Sequence, residues 1–280
     1  QSSIMVIIRC RYYLFLLLAC AAGLVQAAQA PAANDVRACY HEGEWPPSIY
    51  FKREKGEIDK TVVIGATVEL FNEVFKKIGL GFSTTMGPWV RCLHEVTHFD
   101  KYGEFEIFTN GSYNEDRAAN FYITTALYKT HQGLFYSSKK FKTPPNIDSP
   151  TDLKNYKICG ILGYNYTMYR KLGVTNNIDT AAQGLAHVLR KITHQKCDFF
   201  LSPMEPILAG KKYGVYDYSE DIAAIRLPWA GSTTFHAFVS KKSPRAFELY
   251  TRINHEIQIL QGSGESDKIF KKWLEEGDGL

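Results

Sequence analysis

Neither sign of charge dominates this sequence. Lys and Arg number 33 against 29 Asp and Glu, a net charge of +4, and no basic run occurs. That balance excludes an electrostatic nucleic-acid binder. Long apolar runs are equally scarce: beyond the first 27 residues, no stretch approaches the roughly 20 apolar residues that span a bilayer. Cysteines never form a CxxC pair, which argues against a zinc site. Catalytic signatures are scarce too: there is no G-x-S-x-G elbow and no Walker-type loop. Six of the eight histidines are scattered without metal-ligand spacing; the other two fall in HEVTH (94–98), which spells H-E-x-x-H. His94 and His98 stand i,i+4 on an expected helix but lack an obvious third ligand. Neither a metal nor another cofactor is expected, and the chain does not read as an enzyme.

What is present is a globular chain of 280 residues, 45% hydrophobic and 22% charged, enough for one or two domains. Its start reads as a targeting segment. Arg9 and Arg11 form a basic region, YYLFLLLACAAGLV (12–25) is an apolar core, and Val25-Gln26-Ala27 fits a small-x-small cleavage site. Residues 1–27 are therefore read as a signal peptide, with Met5 a candidate true start. A lipoprotein box at Leu17-Leu18-Ala19-Cys20 is the weaker alternative. Cleavage removes two arginines and no acid, leaving +2. Four cysteines remain: Cys39, Cys92, Cys159 and Cys197. In an oxidising compartment they allow three pairings, with buried inert thiols as the alternative. Pairing within each half of the chain, Cys39 with Cys92 and Cys159 with Cys197, is expected.

Periodicity alternates between strand and helix. Expected strands cover 36–42, 81–86 and 104–110, with helices over 63–80 and 89–99, the latter opening behind Pro88. The pattern then restarts: strands over 131–137, 156–162 and 197–202, with a helix over 180–195. A further strand over 233–240 and helices over 245–264 and 265–276 close the chain. This is an α/β fold of two similar units, and small-molecule sites favour the cleft between such units.

In order, EWPPSIYF (44–51), GATVEL (65–70), PWVRCL (88–93), SYNEDRAANFYITTALY (112–128), CGILGYNY (159–166), CDFFLS (197–202) and ESDKIFKKW (265–273) resemble one family. They are similar to the extracellular solute-binding proteins of family 3, which deliver amino acids and related polar solutes to ABC transporters. The likeness runs from about Val36 to Leu274. It implies a type II periplasmic-binding-protein fold with two lobes, residues 34–129 with 231–280 and residues 130–230, each a mostly parallel sheet flanked by helices. It implies a small-molecule solute held between the lobes, hinge closure, a transient membrane permease partner, a monomer and a periplasmic location.

The resemblance also assigns residues. Arg117 is the anchor for a solute carboxylate, a role suited to a planar guanidinium that offers two parallel donors. Ser112 adds a hydroxyl and a backbone N–H to the same oxygens. Trp45 and Trp89 form apolar walls, with core filling as the alternative. Arg91 is either a second anion contact or a surface charge. Tyr164 and Asn165 stand where backbone N–H groups at a helix start meet a carboxylate. Amino-acid-binding members carry an acid just after the strand matching CDFFLS. Here that position is Pro203, and Glu205 is the candidate to receive an ammonium from a shifted register. A soluble sensor subunit and a dehydratase-like enzyme on the same fold are the alternative readings.

Overall fold

The computed structural model describes residues 34–174 and 178–276, with the side chain at 276 left out. The expected signal peptide, including Cys10 and Cys20, lies outside the described residues.

The first half is built on β1 (Asp35–His41), which pairs in parallel with β4 (Gly81–Gly87) on one side and β5 (Ile107–Ser112) on the other. β12 (Ser232–Ser240) continues the sheet antiparallel to β5 and carries the short β6 (Phe121–Ile123) on part of its other edge. Both faces of this sheet are covered. On one lie α1 (Ala66–Ile78), α8 (Ala246–Gly262) and α9 (Glu265–Glu276), whose Phe71, Phe75, Ile253 and Leu260 pack on Tyr40, Ile107 and Val239. On the other, α2 (Trp89–Thr97) supplies Trp89, Cys92 and Val96 against Phe108, Phe121 and Phe238. Two covered faces explain the unbroken buried stretches Ala38–Tyr40 in β1, Ile107–Thr109 in β5 and Ala237–Ser240 in β12, whereas the edge strand β4 alternates. The short α3 (Phe99–Tyr102) and α4 (Glu115–Asn120) bracket β5.

The second half repeats the plan. β10 (Phe199–Pro203) pairs in parallel with β8 (Ile158–Ile161), and β8 with β9 (Ile178–Ala182). β7 (Tyr128–Ser137) lies antiparallel to β10, with β11 (Ile222–Arg226) on its other edge. α5 (Thr167–Lys171) contributes Tyr169 to the core on one face. α6 (Leu185–Thr193) and α7 (Met204–Lys212) cover the other through Leu185, Val188, Leu189, Ile192 and Ile207.

β7 joins the halves. Its residues Tyr128–His131 pair with β12, and Gln132–Tyr136 pair with β10, so the hydrogen-bonded sheet runs unbroken from one half to the other. The return path is the 3-10 turn Pro228–Ala230, between β11 and β12.

Several local expectations shift. The helix expected over 63–80 begins at Ala66, because Val62–Ile64 ends β3 (Glu57–Ile64), which forms a hairpin with β2 (Tyr50–Glu54). β3 is largely exposed, so no buried face marked it as a strand. Gly65, at φ 128°, makes the turn between them; a Cβ there would lie 2.3 Å from the Ser48 carbonyl oxygen. The helix expected over 180–195 is split: residues to Ala182 belong to β9, and the helix starts after Gly184.

The two disulfides pair as expected. Cys39–Cys92, with Cα atoms 5.3 Å apart, ties β1 to α2. Cys159–Cys197, at 5.9 Å, ties β8 to the residue two before β10. Crosslinks spanning 53 and 38 residues each restrict the unfolded chain by about 4 kcal/mol on the chain-entropy scale. Urea unfolding with and without reductant should show each bond contributing about 2–5 kcal/mol. A midpoint unmoved by reductant would contradict this.

Candidate functional site

Parallel strands of an open α/β sheet present their carboxyl ends to a shared crevice. Here β1 ends at His41, β4 leads into Trp89, β5 ends at Ser112, β8 leads to Gly163 and Tyr164, and β10 ends at Ser202 and Pro203. All of these residues except Gly163 line one cleft of about 520 Å³ between the two halves.

Arg117 is placed by its own short helix. Asn114 caps α4, its Oδ1 accepting the Arg117 backbone N–H at 2.7 Å, so Arg117 falls in the first turn. The side chain is 7% exposed. Its Nη1 donates to the Ser112 carbonyl at 2.7 Å and its Nη2 to the Gly163 carbonyl at 3.4 Å. The guanidinium carbon stands 5.6 Å from the Trp89 ring centre and 5.8 Å from that of Phe238. No carboxylate among the described residues forms an ion pair with it. Burial without a counter-charge holds its pKa down at about 10.

The aromatic walls interlock around it. The Trp89 indole N–H donates to the same Gly163 carbonyl at 3.0 Å. Gly163 has φ 78°, and a Cβ there would lie 3.0 Å from the Trp89 ring. Trp45 packs against Phe235 and Tyr164 at ring-centre distances of 5.8 and 5.9 Å. Tyr164 is edge-on to His41 at 5.9 Å, with its hydroxyl 3.5 Å from His41 Nδ1. Burial lowers the His41 pKa from 6.5 to about 4, so the ring is neutral. Asn165 reaches across the cleft: its amide N donates to Ser112 Oγ at 3.0 Å and to the Tyr113 carbonyl at 2.7 Å, while its Oδ1 accepts the Thr167 N–H.

Arg117, Ser112, Trp45, Trp89, Tyr164 and Asn165 thus line the cleft, whereas Arg91 and Glu205 do not. Arg91 lies two residues past Trp89, about 200° around the helix, so it faces away. Its side chain is 61% exposed and paired with Glu95 at 2.7 Å. Glu205 accepts the His131 backbone N–H at 2.9 Å and lies 2.6 Å from its ring Nδ1, so it braces the crossing strand. Both carboxylate oxygens are thereby engaged. Sequence reading passed over His41, Asn110 and Gln132 as site residues, although all three line the cleft. For His41 a signal existed: it is the last residue of a buried strand with parallel partners.

A two-half α/β fold with a cleft at its strand ends defines a ligand-binding class. Residues 38–276 match the model of the bacterial extracellular solute-binding proteins, family 3, and the chain belongs to that family. No curated protein matches it significantly. Among solved structures, the chain is similar to an amino acid ABC transporter substrate-binding protein from Streptococcus pneumoniae bound to L-arginine. The TM-score is 0.69 at 17% identity, over 87% of this chain and 96% of that one. A histidine kinase sensor domain with similarity to periplasmic binding proteins matches at 0.69 and 17%, over 86% and 96%. An ancestral amino acid-binding protein, a precursor of cyclohexadienyl dehydratase, matches at 0.64 and 14%, over 86% and 95%. These likenesses establish the type II periplasmic-binding-protein fold. Among the described residues, no helix is long and apolar enough to cross a membrane.

Removing the guanidinium takes an unpaired charge out of a dry site. Arg117→Met should therefore leave the unfolding free energy within about 1 kcal/mol of wild type, or raise it. A loss of about 3–5 kcal/mol in denaturant titration would instead mark Arg117 as a structural ion-pair partner.

Proposed function

We propose that this chain is a periplasmic solute-binding protein that captures a small carboxylate-bearing solute and delivers it to the membrane permease of an ABC transporter. The observation that carries this reading is Arg117: a buried guanidinium, aimed into a cleft, with carbonyl partners but no acid. A carboxylate supplies the missing charge and accepts the donors the carbonyls leave open. In this reading the exported protein is monomeric, its signal peptide is removed, and the halves are lobes, residues 34–129 with 231–280 and residues 130–230. They hinge about β7 and the Pro228–Ala230 turn.

The structure has the contacts of a closed form. Trp89 and Arg117 both donate to Gly163, Asn165 donates to Ser112 and Tyr113, and the Tyr216 hydroxyl donates to the Glu44 carbonyl at 2.9 Å. Lys171 pairs with Glu115 at 2.8 Å across the rim. Solute joining these contacts would shift the population toward closure. Small-angle scattering should show a smaller radius of gyration with a saturating carboxylate; an unchanged curve would contradict hinge closure.

Calorimetry tests the anchor. Arg117→Ala should cost about 2–5 kcal/mol of binding, roughly 30- to 5,000-fold. Arg117→Lys should restore only part of this, since a point charge cannot reproduce the fork. Full affinity in Arg117→Ala would exclude the role.

His41 adds a pH dependence. Its pKa is about 4 when the cleft is closed, against an ordinary 6.5 when water reaches the ring. Between those values closure expels a proton, so affinity should fall as pH drops from 6.5 towards 4. The solute carboxyl titrates on its own account, so wild type is compared with His41→Phe, whose profile should be flatter. Identical profiles would remove His41 from the linkage.

A second reading, a ligand-sensing subunit of a signalling system, draws on the sensor domain of similar fold. Neighbouring permease and ATPase genes, rather than a kinase gene, distinguish transport from sensing. A dehydratase-like activity draws on the ancestral relative, and turnover of a bound acid would reveal it.

A further inference from the structure

The polar groups of the cleft are unequally spent. Among the described lining residues the only acid is Glu115, which sits at the rim and pairs with Lys171 at 2.8 Å. Each side-chain amide oxygen already accepts at least one hydrogen bond. Asn110 Oδ1 accepts the hydroxyls of Thr67 at 3.0 Å and Tyr128 at 2.9 Å. Gln132 Oε1 accepts the Tyr169 hydroxyl at 2.8 Å, Asn165 Oδ1 accepts the Thr167 N–H at 3.0 Å, and Asn114 Oδ1 accepts the Arg117 N–H at 2.7 Å.

The donors are in the opposite condition. Asn110 Nδ2 is buried without a partner. The Ser202 hydroxyl, also in the lining, is unpartnered as well. Arg117 adds guanidinium donors not used by Ser112 and Gly163. His41, neutral and packed edge-on to Trp89 and Tyr164, brings no charge.

An ammonium group carries three donors and no acceptor, and in a dry site it needs a carboxylate or several free oxygens. The side chains of this cleft offer no unpaired carboxylate; the charge they present is the Arg117 cation. We infer that the solute is an organic acid without a protonated amine, with a carboxylate on Arg117 and an uncharged, largely apolar body that bears neutral acceptors. This rests on the reading of the cleft as a carboxylate site and narrows it to a substrate class.

The test uses matched acids that differ only in the α-ammonium: 3-phenylpropionate with L-phenylalanine, 3-(4-hydroxyphenyl)propionate with L-tyrosine, and glutarate with L-glutamate. Each is titrated into the mature protein at neutral pH by calorimetry, with melting temperature as a second readout. In every pair that binds, the amine-free acid should bind more tightly by about 100-fold, the scale for leaving a buried charge unpartnered. Equal or tighter binding of the amino acid in a binding pair would overturn the inference while leaving the carboxylate anchor standing. If no member of the panel binds at millimolar concentration, the carboxylate-site reading fails and the inference with it. Trimethylglycine serves as a further arm. If it outcompetes every amine-free acid, the uncharged-body assignment is overturned in favour of a quaternary ammonium held by aromatic faces.

Discussion

A guanidinium taken out of water without a counter-charge is a standing cost, and the cleft is arranged around that cost. Arg117 is held by the carbonyls of Ser112 and Gly163 and flanked by the faces of Trp89 and Phe238. Carbonyl dipoles and ring faces stabilise a cation less than a carboxylate does. On the proposed reading the site is incomplete in the way a binding site must be, its largest electrostatic gain left for the solute. An internal acid would make the fold more self-sufficient and the cleft less receptive.

The rest of the architecture serves that placement. Parallel strands in both halves carry their carboxyl ends to the same crevice, so residues distant in sequence meet there. The Cys39–Cys92 disulfide fastens α2 to β1, which brings Trp89 beside His41. Gly163 then links the halves: its carbonyl accepts from both Trp89 and Arg117, and its positive φ leaves no room for a side chain against the Trp89 ring. In the proposed hinge closure, closing and charge burial are one event, since the same carbonyl takes part in both.

How far the sequence discloses this differs by residue. The covered strands of both halves are legible because burial on two faces leaves apolar runs such as EIF and CDFFL. The exposed hairpin of β2 and β3 is not, because EIDKTVVI has no buried face to impose a pattern. Arg117 stands out through its motif and resemblance. Arg91 and Glu205, nearby in sequence to cleft residues, are turned aside: Arg91 by helical rotation past Trp89, Glu205 by the His131 backbone N–H it accepts. The charge preference inferred for the cleft is invisible in sequence, because it depends on which charged groups are already paired, as Glu115 is with Lys171. Asn110 reads as a polar loop residue until Thr67 and Tyr128 are seen to occupy its oxygen.

The central claim is that a carboxylate completes Arg117. The most direct measurement is a crystal structure of the protein with an organic acid in the cleft. The account predicts carboxylate oxygens in two parallel hydrogen bonds to the Arg117 guanidinium, beside Ser112 and walled by Trp45 and Trp89. An acid bound elsewhere, with Arg117 still bonded only to the Ser112 and Gly163 carbonyls, would contradict it.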